Sequence, residues 1–585
     1  MLGNRLVIGL DYGTTYTGVS FCETSDTNYV EDRIQVVQDW PSAHSMIGTK
    51  EKVPSEIAYT PDGIRWGGLI PPHVQRNMWT KLELDAPMAE EAEIIRQELA
   101  LLSMTGGGGG SKKAVDIVID YLAEVKKHLV KHLDSQYGPE LWRTLPITLV
   151  VTVPAVWSDA AKHKTLLAVS RAGFNTVHFP QLRRTVTATE PEAAAIYTIK
   201  TIRGTVQDEQ LAVGDGFVVC DMGGGTVDLI VYRVAAIEPT IVEEVTIGTG
   251  AQCGGTFVDR AFLQWLEEAV GTDDFIKIAG CPAAELSRTS LPPKLGRMVQ
   301  EFVVTAKSGF SGCEEAYLRL PAPLSAIDDE DRGMCDGEIR IFEFPLRRTK
   351  ELVEDQILRA QRTGKAKVKY VFMVGGFAES PYMHKEIAAL ALGHGVGTIR
   401  PPYAWSAIAR GAAAKGLEGD GRTPIKSRIC RRHYGTRTSQ LFDKHRHLKL
   451  DAYICSFTGE KRATGQMDWL INKGQELAAS EKDHGKLYLV HQVWANQAKV
   501  LTIPLSASDK DKAPTRSADP TVYTVTDMVI DLSPVPKSEW RSDVSPDGRA
   551  YCSVDIVLEI SVQSALEYSL SVNGKRYASV EATYA

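Results

Sequence analysis

The sequence predicts a two-lobed α/β domain followed by an all-β, sandwich-like domain. Three observations predict it. A strand–glycine turn–strand pattern occurs twice, at residues 6–20 and 216–232. Around and between the copies, apolar strands alternate with helical periods, the signature of α/β units. Beyond Leu417 the helical period gives way to short alternating runs and turn signals.

The first copy reads Leu6-Val-Ile-Gly-Leu-Asp11-Tyr-Gly13-Thr14-Thr15-Tyr16-Thr-Gly-Val-Ser20. The second reads Gly216-Phe-Val-Val-Cys-Asp221-Met-Gly223-Gly224-Gly225-Thr226-Val-Asp228-Leu-Ile-Val-Tyr232. Each ends an apolar strand on an Asp and reverses through Gly and Thr. A glycine turn lets backbone N–H groups approach an anion with no Cβ in the way. A carboxylate at a strand end can hold hydrated Mg²⁺, an ion that sheds its waters reluctantly. Thr14, Thr15 and Thr226 add hydroxyls. Two such hairpins suit one polyphosphate gripped from opposite sides, whereas either copy alone also reads as a plain tight hairpin. No G-x-x-x-x-G-K-[ST] occurs, so this is not a P-loop.

The elements follow in order. Residues 5–60 read as strands with turns. Five glycines at 106–110 cannot form a packed element; they are a natural loop or an inserted linker, and no function attaches to them. Residues 112–135 follow a helical period through Val115, Val118, Ile119, Leu122, Val125, Leu129 and Leu133. His128 and His132 are spaced for zinc, but no Glu separates them as in H-E-x-x-H, so they read as a solvated face. Residues 145–156 form an apolar strand buried on both faces. A helix follows, capped by Ser158 and ending near Gly173. The next starts at Glu190-Pro191, with Pro at the favoured first position. Residues 257–270 and 349–362 are further helices. Residues 368–374 are a strand feeding Gly375-Gly376, and 404–417 a helix of small residues. Residues 418–428 read as a linker, and Lys426–His433 as a basic, solvated connector. Residues 429–585 are β-rich, with a polar loop at 507–520 and a hairpin at Asn573-Gly574.

Composition bounds the function. A chain of 585 residues, 43% hydrophobic and 24% charged, is a globular protein of more than one domain. A net charge of −7 argues against a nucleic-acid binder. No apolar run has the length of a transmembrane helix, and the N-terminus reads as strand rather than signal peptide. Nine scattered cysteines with no C-x-x-C pair fit a reducing, cytoplasmic setting.

These motifs, in this order, resemble the actin-like (ribonuclease H-like) ATPase superfamily, and within it the seventy-kilodalton heat-shock chaperones. Leu10–Val19 is similar to that family's first phosphate motif, and Asp221–Asp228 to its second. Val151-Thr-Val-Pro-Ala-Val-Trp resembles its connecting segment, and Val374-Gly-Gly-Phe-Ala-Glu-Ser-Pro381 its adenosine motif. Glu190-Pro-Glu-Ala-Ala-Ala-Ile and Gly254-Gly-Thr-Phe-Val-Asp-Arg260 match two further segments. The likeness covers residues 5–417 well and the remainder loosely.

The resemblance implies an ATP/ADP cleft between lobe I, about 1–190, and lobe II, about 191–400, closed by helix 404–417. It implies that Asp11 and Asp221 hold Mg²⁺ through water. Gly13, Thr14, Thr15, Tyr16, Gly223, Gly224, Gly225 and Thr226 would cradle the phosphates. Glu190 would orient the attacking water, with Asp228 supporting it or the metal. Gly254, Gly255, Gly375, Gly376 and Phe377 would line the nucleotide, with Lys307 and Ser311 on the adenosine side. Lys81 is the candidate catalytic lysine; a surface lysine is its plainer reading. The family's acidic-leucine linker and helical lid are missing, and Trp405-Ser-Ala407 replaces its usual D-E-A. The expected function is slow ATP hydrolysis by a chaperone-like protein, the β-domain at 429–585 binding peptide or protein segments. A sugar-kinase-type phosphotransferase, a nucleotide-gated scaffold with little hydrolysis and a filament-forming protein are the alternatives.

Overall fold

Seven consecutive buried residues, Leu6–Tyr12, form the first strand, β1. Burial of every side chain means that both faces are covered, as in the interior of an α/β sheet. β1 turns at Gly13 into β2 (Tyr16–Glu23), antiparallel, with Asp11 opposite Gly18. On its other side β1 runs parallel to β3 (Ile147–Val153), which runs parallel to β4 (Leu182–Thr189). This is a computed structural model. It describes residues 4–24, 34–42, 50–71, 74–85, 112–202, 211–237, 241–287, 290–307, 316–341, 347–417, 425–478, 484–562, 566–579 and 583–584. The five-glycine run and Ser311 lie outside these residues.

Helix α1 (Ala114–Tyr137) buries Val118, Leu122, Val125, Leu129 and Leu133, the stripe its period predicts. They share a core with Leu6, Ile8, Leu10 and Trp142. His128 and His132 are not a solvated face. Both ring nitrogens meet Asp39, at 3.2 and 2.8 Å, and the His128 ring lies against Trp40. α2 (Asp159–Arg171) starts as expected, with Ser158 Oγ accepting from the Ala161 amide. α3 (Glu190–Ile202) leads into lobe II.

Lobe II repeats the strand logic of lobe I. β5 (Asp215–Met222) and β6 (Val227–Ala236) form the second hairpin, with Asp221 opposite Asp228. α4 (Gly255–Val270) follows. β7 (Lys367–Val374) lies parallel to β5, and its end, Val374, is level with Asp221. The small-residue helix is α5 (Ala407–Leu417). It begins later than the sequence suggests, residues 404–406 forming a turn that follows the left-handed Tyr403 (φ 54°). Its composition has a packing cause. A Cβ at Gly411 would fall 1.9 Å from the Ala193 carbonyl oxygen, and one at Gly416 would fall 2.4 Å from Val7 Cγ1. Only small residues let α5 lie this close to α3 and β1.

Two compact units divide the chain, Met1–Pro424 and Ile425–Ala585. In the second, residues 425–429, expected as linker and solvated connector, are a strand paired with Glu476–Ala478. Arg428 and His433 of the basic run are buried, and His433 is held by Asn472 and the Lys510 carbonyl. This unit is all β. One sheet runs from Ala452–Ile454 through Lys461–Ile471, His433–Leu441, Val500–Ser508 and Tyr523–Asp531 to Thr583–Tyr584. The other contains Gly485–Trp494, Ala550–Val562, Leu566–Val572 and Lys575–Ser579, with Arg541–Val544 beside Ala550–Val562. Their inward residues, among them Ile471, Leu505, Met528, Val554, Ile556 and Leu558, make one core. Asn573 and Gly574 both have positive φ (49° and 78°), as a two-residue hairpin requires. No helix among the described residues is long and apolar enough to cross a membrane.

Candidate active site

The two glycine turns meet face to face. A Cβ at Gly224 would lie 2.3 Å from Thr15 Oγ1, and one at Gly225 would lie 2.5 Å from Thr14 Oγ1. Each turn therefore presents threonine hydroxyls or bare backbone to the other. The second turn is braced from behind. The amides of Gly254, Gly255 and Thr256 bond the carbonyls of Gly225, Gly223 and Gly224 at 3.1, 3.0 and 2.7 Å. The start of α4 thus fixes the turn that the sequence places against phosphate.

Five side chains predicted for the site converge beneath these turns: Asp11, Lys81, Glu190, Asp221 and Asp228. All are buried. Lys81 Nζ donates to Glu190 Oε1 at 2.5 Å. Its segment is held by the Tyr12–Thr80 hydroxyl contact at 3.1 Å and by Trp79, whose φ of 60° turns the chain inward. The Lys81 ammonium also faces the Trp157 ring. Lys81 is not a surface lysine.

A sixth member was not foreseen. Lys52 Nζ donates to Asp11 Oδ2 at 2.7 Å, and Thr152 Oγ1 donates to Asp11 Oδ1 at 3.1 Å. Lys52 reaches Asp11 across Gly18, where a Cβ would fall 3.2 Å from the lysine stem. In the second hairpin the position of Gly18 is taken by Asp228. One Asp of the repeat therefore faces a cation, the other a second carboxylate. Asp221 Oδ1 is buried without a hydrogen-bond partner among the described residues.

The electrostatics follow. Burial pushes the Glu190 carboxyl up to about 7 against the pull of Lys81, with Asp11 and Asp228 adding to the rise. Burial, then Glu190, Asp228 and Asp11, raise Asp221 well above the usual carboxylate range, while Lys52 opposes. Burial pulls the Lys81 ammonium down, but Glu190, Asp11 and Asp221 outweigh it and hold it above its ordinary value. Four carboxylates and two ammoniums leave an acidic excess, so the pocket favours a further cation.

The residues expected on the adenosine side, Ser311 excepted, gather in lobe II. Lys307 Nζ bonds the Gly255 carbonyl at 2.6 Å and Asp259 Oδ1 at 2.7 Å, and it faces the Phe377 ring. Burial raises the Asp259 carboxyl, with Lys307 opposing. Gly375 needs its left-handed backbone (φ 89°); a Cβ there would strike the Met222 carbonyl oxygen at 2.5 Å and Asp221 Oδ1 at 2.6 Å. Trp405 stands between the lobes, beside Gly376 and edge-on to Tyr16, ring centroids 5.3 Å apart. Asp259 and Trp405 were not marked as site residues.

Comparison with known proteins decides the family. The sequence model described as Hsp70 protein matches residues 124–424, more than half of the chain. The chain belongs to the Hsp70 family. Heat shock 70 kDa protein 12A of Homo sapiens is 24% identical over 552 residues, covering 81% of this chain and 78% of its own. Heat shock 70 kDa protein 12B of Homo sapiens is 24% identical over 517 residues, covering 76% and 72%. A chaperone protein HscA homolog of Acinetobacter baumannii (strain SDF) is 22% identical over 280 residues, covering 46% and 39%. At the level of this Hsp70 family the chain is an ATP-binding protein of chaperone type.

Proposed function

We propose that this protein is a slow, Mg²⁺-dependent ATPase of the Hsp70 family whose β-rich part binds peptide or protein segments. The nucleotide part would be residues 1–417, its two lobes meeting near Glu190, and the substrate part 429–585. The observation that carries the proposal is the convergence of Lys81, Glu190, Asp11, Asp221 and Asp228 beneath two opposed Gly–Thr turns.

The side chains fit a magnesium ion. The bare Asp221 Oδ1 and the acidic excess supply the attraction. Among the described residues no three acidic, His or Cys side chains are grouped to ligate one ion directly, which suits binding through water. Asp221 and Asp11 would hold it, and the ion would neutralise charge on the transferring phosphoryl group. Gly13, Thr14, Thr15, Gly223, Gly224, Gly225 and Thr226 would give the phosphates amides and hydroxyls. Glu190 would orient the attacking water and take its proton; a carboxyl titrating near neutrality suits that role. Lys81 would hold Glu190 in place and face the phosphates. Phosphoryl transfer asks for positioning and charge neutralisation, and these residues provide both.

The β-rich part supports the second half of the proposal at one edge. Ala452–Ile454 ends its sheet, and Tyr453 and Ile454 are exposed, as are Leu448 and Leu450 just before. An edge strand with apolar neighbours suits an extended segment. The eight described cysteines are all free, which supports a reducing, cytoplasmic setting. The test is ATP binding and phosphate release by wild type, Glu190→Ala and Asp221→Ala. Both variants are expected to lose turnover while keeping ATP binding. Full turnover in both would falsify the assigned site.

A further inference from the structure

Away from the nucleotide cleft, lobe I contains a cavity of about 370 Å³. It is lined by Lys126, Lys127 and Val130 of α1, by Arg143, and by Val177, His178 and Pro180 of the segment after α2. Two of these residues, Lys126 and His178, pack against Gly173. That residue has φ of 102°, and a Cβ there would fall 2.7 Å from His178 Cδ2 and 3.1 Å from Lys126 Cε. The bare glycine lets the lysine stem and the imidazole close over the helix end.

Lys126 is the unusual member. It is 8% exposed, yet no acceptor or carboxylate partners its ammonium among the described residues. The nearby acids are already engaged. Glu124 takes Lys127 at 2.6 Å, and Asp134 takes Arg143 at 2.5 Å. Burial, then Lys127, push the Lys126 ammonium below its ordinary value. The lysine stem is covered while its ammonium lines the cavity, so a cation with no carboxylate on it faces the space a ligand would enter. The remaining walls, Val130, Val177 and Pro180, are apolar, and Val177 stands 79% exposed at the rim.

We propose that this cavity binds a small phosphomonoester, its phosphate on Lys126 with Lys127, Arg143 and His178 around it, its organic body against Val130, Val177 and Pro180. Lys126 supplies the uncommitted charge, Lys127 and Arg143 would turn spare donors to the phosphate while keeping Glu124 and Asp134, and the volume lies within the ordinary range for small-molecule sites. The site shares no residue with the ATPase cleft and does not rest on the proposed hydrolysis.

The test is calorimetric titration of the full chain with phenyl phosphate, inorganic phosphate and benzoate. It is run at low salt with Mg²⁺ and excess ADP present, so that the nucleotide cleft is saturated. Phenyl phosphate is expected to bind more tightly than the other two. Lys126→Met, which keeps the stem, should weaken it by about tenfold, the loss of one charge-assisted hydrogen bond. Val177→Asp, an exposed change that leaves the core intact, should weaken it too and guards against a folding defect in the lysine variant. Equal affinity in wild type and both variants, no phenyl phosphate binding at millimolar concentration, or inorganic phosphate binding as tightly as the ester would each overturn the proposal.

Discussion

At the scale of single residues the site is a set of charges whose partners decide their roles. Glu190 has its carboxyl raised from 4.5 to about 7. Raised in the folded state, it contributes stability that is present below about 4.5 and lost as pH rises through about 7. Under the proposed role, in which Glu190 takes the water's proton, activity runs the other way, because that role needs the carboxylate. Single-turnover ATP hydrolysis should therefore climb as pH passes through about 7, and Glu190→Gln should abolish the rise with the rate. A profile that is flat there in wild type would remove Glu190 from the reaction. Lys52 gives a second prediction. Lys52→Met strands the Asp11 carboxylate in the interior and should cost about 3–5 kcal/mol in urea unfolding. Adding Asp11→Asn should recover much of that loss, since the charge that needed a partner is then gone. Glu190 was singled out in the sequence because Glu190-Pro-Glu-Ala-Ala-Ala-Ile resembles a family segment, while its Pro neighbour marked only a helix start. Lys52 was not: it sits among Lys50 and Glu51 like any surface lysine, and only the hairpin register, with Gly18 opposite Asp11, reveals the room for its stem.

At the scale of elements, the repeat was legible and its asymmetry was not. Both hairpins and the parallel strands beside them follow from apolar runs ending at Asp, Gly and Thr. The composition of α5 announced close packing without saying against what. The structure places it on α3, whose first residue is Glu190, so the packing bears on the residue proposed to orient the attacking water. Gly411→Val would drive a side chain into the Ala193 carbonyl and should destabilise lobe I by about 1–3 kcal/mol or more. Moving α3 should also slow hydrolysis. Gly393→Ala is the control: a Cβ there meets nothing within 4 Å, and stability should hold or rise. Equal effects from the two changes would show that the α3–α5 contact does not matter. The segment carrying Lys81 was legible only as a lysine in a weakly patterned stretch. Its position comes from tertiary packing: Met78 and Trp79 enter the core of lobe II, while Leu84 belongs to that of lobe I.

At the scale of the whole molecule, the change of texture after Leu417 marked the passage from α/β to all-β, while the strand at 425–429 escaped a reading based on polarity. Arg428 in that strand and His433 just after it are buried, His433 by Asn472 and Lys510, partners distant in sequence that local composition does not encode. The two units draw on separate cores. Val218, Leu263, Val371 and their neighbours, with Leu10, Val151 and theirs, build the first, and Ile471, Leu505, Ile556 and Leu558 the second. A core drawn wholly from one unit supports cooperative unfolding of that unit by itself. Calorimetry of the full chain should then show two transitions. Mg²⁺ and ATP at a hundredfold excess over the dissociation constant should stabilise the unit Met1–Pro424 by about 2.7 kcal/mol. The transition of Ile425–Ala585 should keep its midpoint, because the residues proposed to hold the nucleotide all belong to the other unit. Should both transitions rise together or merge, nucleotide binding reaches the β-rich unit, and the separate cores do not describe how this chain unfolds.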